Sequence, residues 1–372
     1  MDERATDSPA ISVRRMHHGE ERAVRALAGR AFSRLQSAFF SPPMHTLVAE
    51  RDGRLLGAVV PRLFKLPDER RAGVMVWLMS EPEARRLGVG GRLVEAALEY
   101  LKEHDCQEAF ACVEGYNTSS SNLFAARGFT IISPGEQFRR YGLLGTLVLW
   151  LQTFRLGGDV GHFLWARPGA TRPDDPRLQW WTGTLLSALI FLLAMWQAGL
   201  AEGLTPATIF GSALVVVALF GVREVVMRLV AHSLGLMVRH RAWEAALPLS
   251  AGIALLFGWF FPIPGSIYPR ADTWRYRNLV PKLGPMAFAG ASAVLAFTWA
   301  AWALVRFSVP PPEIYEWLRA AYRAGWTLAL LEVLLPFSIF VSFNGRRVWD
   351  WSRPAWAGLA IVTVALFLVA GL

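Results

Sequence analysis

Cysteine is nearly absent: Cys106 and Cys112 are the only two in 372 residues. They sit in or beside an apolar strand-like run without metal-ligand spacing, which excludes a disulfide framework and fits a reduced cytosolic domain. Carboxylates are also sparse, with 29 Asp+Glu against 38 Lys+Arg and a net charge of +9. The first 140 residues hold 20 of those bases and 18 of those acids, so 7 of the 9 excess positive charges lie further along. Basic residues beside apolar runs record membrane orientation or contact with anionic lipid, and no DNA-binding motif is present, so nucleic acid is not an expected partner. The opening MDERATDSPA has neither the basic nor the apolar region of a cleaved signal peptide. The first apolar run, near residue 181, is therefore expected to direct insertion itself.

What is abundant is apolar: 53% of the residues are hydrophobic, too many for an ordinary soluble enzyme of this length. They are unevenly spread. Up to about residue 140 charged and apolar residues alternate as in a globular domain, whereas from Trp180 onward apolar runs of membrane-spanning length recur.

The first part alternates strand and helix patterns. ISVRRM reads as a strand and EERAVRALAGRAF as a helix; HTLVAE and RLLGAVV form a hairpin across Arg51, Asp52 and Gly53. GVMVWLMS, a strand, leads into EPEARRLGVGG and the helix GRLVEAALEYLKEH; EAFACVE, a polar loop, a helix and FTIIS follow. The informative piece is PEARRLGVGGRL, Pro82 to Leu93, where a strand delivers an arginine- and glycine-rich turn onto a helix start. Free backbone N–H groups and the helix dipole there can cradle a pyrophosphate, although a tight turn before a helix has the same composition.

RRLGVG, Arg85 to Gly90, resembles the Q/R-x-x-G-x-G/A acetyl-CoA motif of the GNAT acetyltransferases, and NTSSSNLFAARGF resembles their second signature through Asn117, Phe124, Gly128 and Phe129. The resemblance covers about 125 residues in order and implies a GNAT fold, a mixed α/β sheet with flanking helices, over residues 1–137. It implies that Arg85, Arg86, Leu87, Gly88, Val89, Gly90 and Gly91 hold the CoA pyrophosphate, with Asn117 and Phe124 contributing to the cofactor site. Met79, Ser80 and Glu81 would align the acetyl carbonyl. An amine then attacks the thioester, helped by a base and by an acid that protonates the leaving thiolate. Many relatives place a Tyr where this chain has Phe124, which cannot donate a proton. Glu81, Glu114 and Tyr116 are the polar groups at the acetyl end; Glu81 reads equally as a solvated loop carboxylate, and Glu114 and Tyr116 as structural residues.

Residues 138–179 hold LLGTLVLWLQTF, too short to span and expected as an interfacial helix, with a buried helix as the alternative, then the linker RPGATRPDDPR. Residues 180–372 are expected to form an α-helical polytopic membrane domain. Its spans are Trp181–Ala198, Ile209–Val230, Leu283–Val305, Gly325–Val341 and Ala355–Leu372, with Ala245–Phe261 either re-entrant or a sixth crossing; Trp180, Trp181, Trp196, Trp349, Trp351 and Trp356 sit at run ends. The charges Arg223, Glu224 and Arg228 close one of these runs, where an ion is costly to bury. REVVM, Arg223 to Met227, resembles the H-E-x-x-H zinc motif of the site-2 protease family with the Glu kept. LVAHSLG, FPIPGSIY, KLGPMAFAG and LPFSIFVSFNGRRVWDW follow in that family's order, with Asn344 where its Asp stands. Arg223, Met227 and Asn344 thus replace all three zinc ligands, so the resemblance implies no metal and no proteolysis. Glu224 is expected to pair with Arg223 or Arg228, and His232 to be structural.

The chain is accordingly expected to be a multi-pass protein of the cell (inner) membrane with its N-terminal domain in the cytoplasm. Its expected function is transfer of an acetyl group from acetyl-CoA to an unidentified amine, with the lipid bilayer as a partner. The alternative is a non-catalytic acetyl-CoA sensor acting through its membrane domain.

Overall fold

The computed structural model describes residues 11–38, 40–84, 87–154, 159–200, 205–271, 273–337 and 340–370. The chain divides into two compact units, one of Met1–Val113, Ser120–Phe154 and Leu164–Arg172, the other of Glu114–Ser119, Arg155–Phe163 and Pro173–Leu372.

The first stretch of chain runs β1 (Ser12–Arg15), α1 (Glu21–Ala31), α2 (Arg34–Ala38), β2 (Leu47–Arg51), β3 (Arg54–Lys65), β4 (Arg71–Ser80), α3 (Val89–Glu103) and β5 (Glu108–Glu114). It continues with α4 (Thr118–Ala125), β6 (Thr130–Ile131), α5 (Pro134–Thr153) and β7 (His162–Arg167). Seven strands make one mixed sheet in the order β1-β2-β3-β4-β5-β7-β6. The β2–β3 hairpin closes through Asp52 (φ 54°) and Gly53 (φ 72°), the doubly left-handed turn that matches the twist of antiparallel strands. On α1, Val24, Leu27 and Ala28 recur at helical spacing and are fully buried; they share a core with Val48, Ala58, Val60 and Met79 of β2, β3 and β4.

Two features of β4 matter for the site. Val60 faces Trp77 while Pro61 faces Met75, so Val76 is an extra residue and forms a β-bulge. The regular parallel ladder to β5 joins Ala72–Met75 to Glu108–Ala111, ahead of that bulge. Part of the segment expected as a linker joins the sheet: β7 pairs antiparallel with β6 through Thr130↔Ala166 and Ile131↔Trp165, while α5 kinks at Gly142 and leaves Leu143, Leu147 and Leu151 exposed. The reason is compositional, since FLWA of β7 is apolar on both faces and is buried throughout.

The second stretch comprises α6 (Pro176–Gln197), α7 (Pro206–Ser233), β8 (Val238–Arg241), α8 (Leu247–Phe257), β9 (Ser266–Pro269), α9 (Tyr276–Phe307), α10 (Pro312–Ala329), α11 (Asn344–Trp351) and α12 (Arg353–Ala370). Among the described residues α6, α7 and α9 are long and apolar enough to cross a membrane, and α8 and α12 are shorter apolar helices. The expected crossing Gly325–Val341 is not one helix. α10 passes into a π-helical turn, Leu330–Leu334, and the helix stops at Leu335 (φ −118°, ψ 63°). Pro336 follows, and proline both lacks an N–H and drives the residue before it out of the helical region.

Candidate functional site

Gly88 caps α3 with φ 77°, a left-handed conformation that suits glycine, and no side chain caps the helix. The first bond inside the helix runs from Arg92 N to Gly88 O (3.1 Å), so Val89, Gly90 and Gly91 present the N–H groups that an α-helix leaves without internal partners. No acidic residue lies in the first turn of α3. The helix start therefore offers aligned donors and the positive end of its dipole to an anion, with nothing negative in that turn to oppose it. A Cβ at Gly88 would meet open space, whereas one at Gly90 would stand 3.2 Å from Leu123 Cδ2. Leu87 is exposed. Arg85 and Arg86, assigned to the same loop from the sequence, lie outside the described residues.

The strand before the loop is fixed on one side by β3, where Met79 faces Ala58, Ser80 faces Gly57, and Glu81 N donates to Leu56 O at 2.8 Å. Met79 and Glu81 are buried. The Glu81 carboxylate accepts from Arg30 Nε at 2.9 and 3.2 Å and from Arg30 Nη2. As the molecule stands, that carboxylate is an ion-pair acceptor and not a free base.

Glu114 ends β5 and is partly buried; its Oε2 accepts from Tyr116 N (2.9 Å) and its Oε1 from Ser342 Oγ (2.8 Å). Burial raises its pKa above the ordinary carboxylate value, opposed by the nearby His162 and the Ser342 bond. Tyr116 is buried, its hydroxyl donates to Ile267 O at 3.3 Å, and its ring stacks on Tyr268 with centroids 4.7 Å apart. The Arg347 guanidinium lies 4.4 Å from the Tyr116 ring centroid. Asn117 is exposed at the start of α4. Phe124 is buried edge-on to Phe129 at 5.2 Å, a packing role with no proton to give. Sequence reasoning missed Arg30 and Ser342 as partners; the signal for Arg30 was a cation on the last turn of α1, a helix whose other face is core.

A second cluster lies among the apolar helices. Arg223 and Met227 lie one turn apart on α7, and Met227 meets Asn344, far away in sequence: Asn344 Nδ2 stands 3.6 Å from Met227 Sδ, and a Cβ at Gly290 of α9 would lie 2.5 Å from Met227 Cγ and 3.0 Å from Asn344 Nδ2. Glycine at that point is what lets the three helices close together. Arg223 pairs with Glu332 (2.7 Å) and its Nη1 donates to Gly265 O (3.3 Å), while Glu224 takes Arg228 (2.7 Å) and His240 Nδ1 (3.1 Å). Of the two partners expected for Glu224, the structure selects Arg228. Glu224 and Arg228 also border a cavity of about 960 Å³ with Arg239, Arg270 and Trp180. Among the described residues no three His, Cys, Asp or Glu side chains are grouped to hold a metal ion.

Residues 13–129 match the model of the acetyltransferase (GNAT) family. A mycothiol acetyltransferase of Acidimicrobium ferrooxidans is 32% identical over 89 residues, 24% of this chain and 29% of that protein. An N-alpha-acetyltransferase of Sulfurisphaera tokodaii is 31% identical over 102 residues, 25% of this chain and 57% of that protein. The chain thus spans between about a third and somewhat over half the length of these relatives. Among solved structures, N-acetylglutamate synthase from Neisseria gonorrhoeae, complexed with coenzyme A and N-acetyl-glutamate, is 22% identical with a TM-score of 0.32, covering 42% of this chain and 34% of that one.

Proposed function

We propose that the chain is a membrane-anchored N-acetyltransferase that moves an acetyl group from acetyl-CoA to an amine. The observation that carries this reading is the start of α3, where left-handed Gly88 and the open N–H groups of Val89, Gly90 and Gly91 sit inside the GNAT domain without a competing carboxylate in the first turn. These donors, with Arg85 and Arg86 beside them in sequence, hold the pyrophosphate of the substrate. The end of β4, Met79 to Glu81, lies past the regular ladder to β5 and orients the acetyl carbonyl.

The amine lone pair attacks the thioester carbon, the nitrogen gives up a proton to water, the carbonyl re-forms, and the carbon–sulfur bond breaks to release CoA thiolate. With Phe124 in place of a hydroxyl donor, the thiolate takes its proton from water. Glu81 and Tyr116 are engaged in internal bonds, and Glu114 is held at both oxygens. Catalysis then rests on orientation more than on acid–base assistance, whose loss costs on the order of a hundred- to ten-thousand-fold in rate. Thiol release from acetyl-CoA by the purified protein, offered peptides, polyamines and small amines, tests the reading.

Anchoring is supported by α6, α7 and α9, which have the length and composition of membrane spans. It is supported too by α5, where Leu143, Leu147 and Leu151 recur every four residues and stay exposed. The tail is read as a site-2-protease-like fold that has lost zinc chemistry, supported by the approach of Met227 on α7 to Asn344 on α11. A second reading, an acetyl-CoA sensor without turnover, is favoured by Phe124 and by the engaged state of Glu81, Glu114 and Tyr116. Tight CoA binding with no thiol release for any amine would decide for it.

A further inference from the structure

The end of α9 and the middle of α10 carry a cluster of three arginines, Arg306, Arg319 and Arg323, lining a cavity of about 370 Å³ with Trp302 and Tyr322. Arg319 is paired with Glu316 at 3.1 Å; the guanidinium groups of Arg306 and Arg323 have no hydrogen bond or ion pair among the described residues. Three guanidinium groups facing one carboxylate leave the cavity strongly cationic. Tyr322 and Arg323 also line a neighbouring cavity of about 290 Å³, whose other walls include Met195, Trp259, Phe260 and Trp326. That second cavity is apolar, and the Tyr322 hydroxyl and Trp326 Nε1 are buried donors without a partner among the described residues. Phe307 and Val309, beside the cluster in sequence, are fully or largely exposed.

We propose that these joined cavities bind one anionic phospholipid, its phosphate held by Arg306, Arg319 and Arg323 and one acyl chain lying in the apolar cavity. A phosphate is the shared chemistry of a lipid headgroup and of a free phosphate ester. The lipid is chosen because the apolar cavity opens beside the same two residues and because the cluster closes an apolar helix of spanning length. A guanidinium supplies several donors to phosphate oxygens at once, and loss of such charge-assisted bonds is costly. The inference rests on the membrane reading of the tail.

The test uses the full chain purified in detergent, with lipid retention read by native mass spectrometry and affinity by titration. Phosphatidylglycerol is expected to be retained as one molecule per chain and phosphatidylcholine not. The Arg306→Ala and Arg323→Ala double variant should bind phosphatidylglycerol at least about tenfold more weakly, while the Arg306→Lys and Arg323→Lys pair keeps most of the affinity and controls for folding. Equal retention of the two lipids, or an unchanged alanine variant, overturns the proposal. Displacement of phosphatidylglycerol by glycerol phosphate at equal concentration overturns the lipid assignment in favour of a soluble phosphate. Release of the chain from membranes by alkaline wash without detergent sinks the membrane reading itself, whereas an integral chain indifferent to phosphatidylglycerol sinks this inference alone.

Discussion

Replacing Glu332 by Gln leaves Arg223 as a guanidinium with no carboxylate partner in the interior of the helical unit. The two side chains are 1% and 0% exposed and 2.7 Å apart, and Arg223 Nε lies 2.8 Å from the same carboxylate oxygen. The carbonyl of Gly265, at 3.3 Å, is the other acceptor and carries no full charge. Breaking a buried pair from one side costs about 3–5 kcal/mol, because the remaining ion keeps its desolvation penalty without its attraction. Removing both charges behaves differently: Arg223→Met with Glu332→Leu should return stability to within about 1 kcal/mol of the parent, since apolar residues of similar volume carry no such penalty. Unfolding in mixed micelles, followed by tryptophan emission, compares the parent, the Glu332→Gln variant and the double variant, and adding Arg223→Met and Glu332→Leu singly completes a double-mutant cycle. A Glu332→Gln variant within about 0.5 kcal/mol of the parent, or a double variant no better than the single one, refutes the reasoning that this pair is mutually required.

Gly88→Val forces a branched residue into a left-handed backbone and should abolish CoA binding by calorimetry at a stability cost of about 1–2 kcal/mol; unchanged affinity would remove the loop from the site. Glu20 is held down to about 2 by its hydrogen bond to Arg14. Its stabilisation is complete above the ordinary value of 4.5 and is lost as pH falls through about 2, so Glu20→Gln should flatten the acid side of the stability profile. Glu114 has the opposite sign: with its pKa raised by burial, stability is full below the ordinary value and declines as pH rises through the folded one. Glu114→Gln should remove that decline, and an identical slope in the variant would show that another group causes it. Metal analysis of the purified chain should find no stoichiometric zinc, before or after His232→Ala; one tightly held zinc lost with His232 would show a rebuilt metal site.

Much of the head was legible because its signals are local. Arg51-Asp52-Gly53 demands a two-residue turn, and Gly88 of the α3 loop is set by the left-handed backbone at its own position. The segment 138–172 was not legible in the same way: β7 earns its place by pairing with β6 more than thirty residues away, which no local pattern in HFLWAR announces. The partners of the expected polar groups were not legible, because Arg30 reaches Glu81 across 51 residues and Ser342 reaches Glu114 across 228. In the tail, the cost of burying Arg223 was visible and its partner was not. A usable signal existed, since Glu332 is the single charge within LALLEVLLPF and a lone carboxylate in such a run requires a cation. Pro336 likewise marked the break that ended the expected fourth span.

The most direct test of acetyl transfer is thiol release from acetyl-CoA by the purified full-length chain across a panel of amines. Release that depends on at least one amine and disappears in Gly88→Val is the expected result. No release with any amine, together with no CoA binding by calorimetry, would contradict the account at its centre.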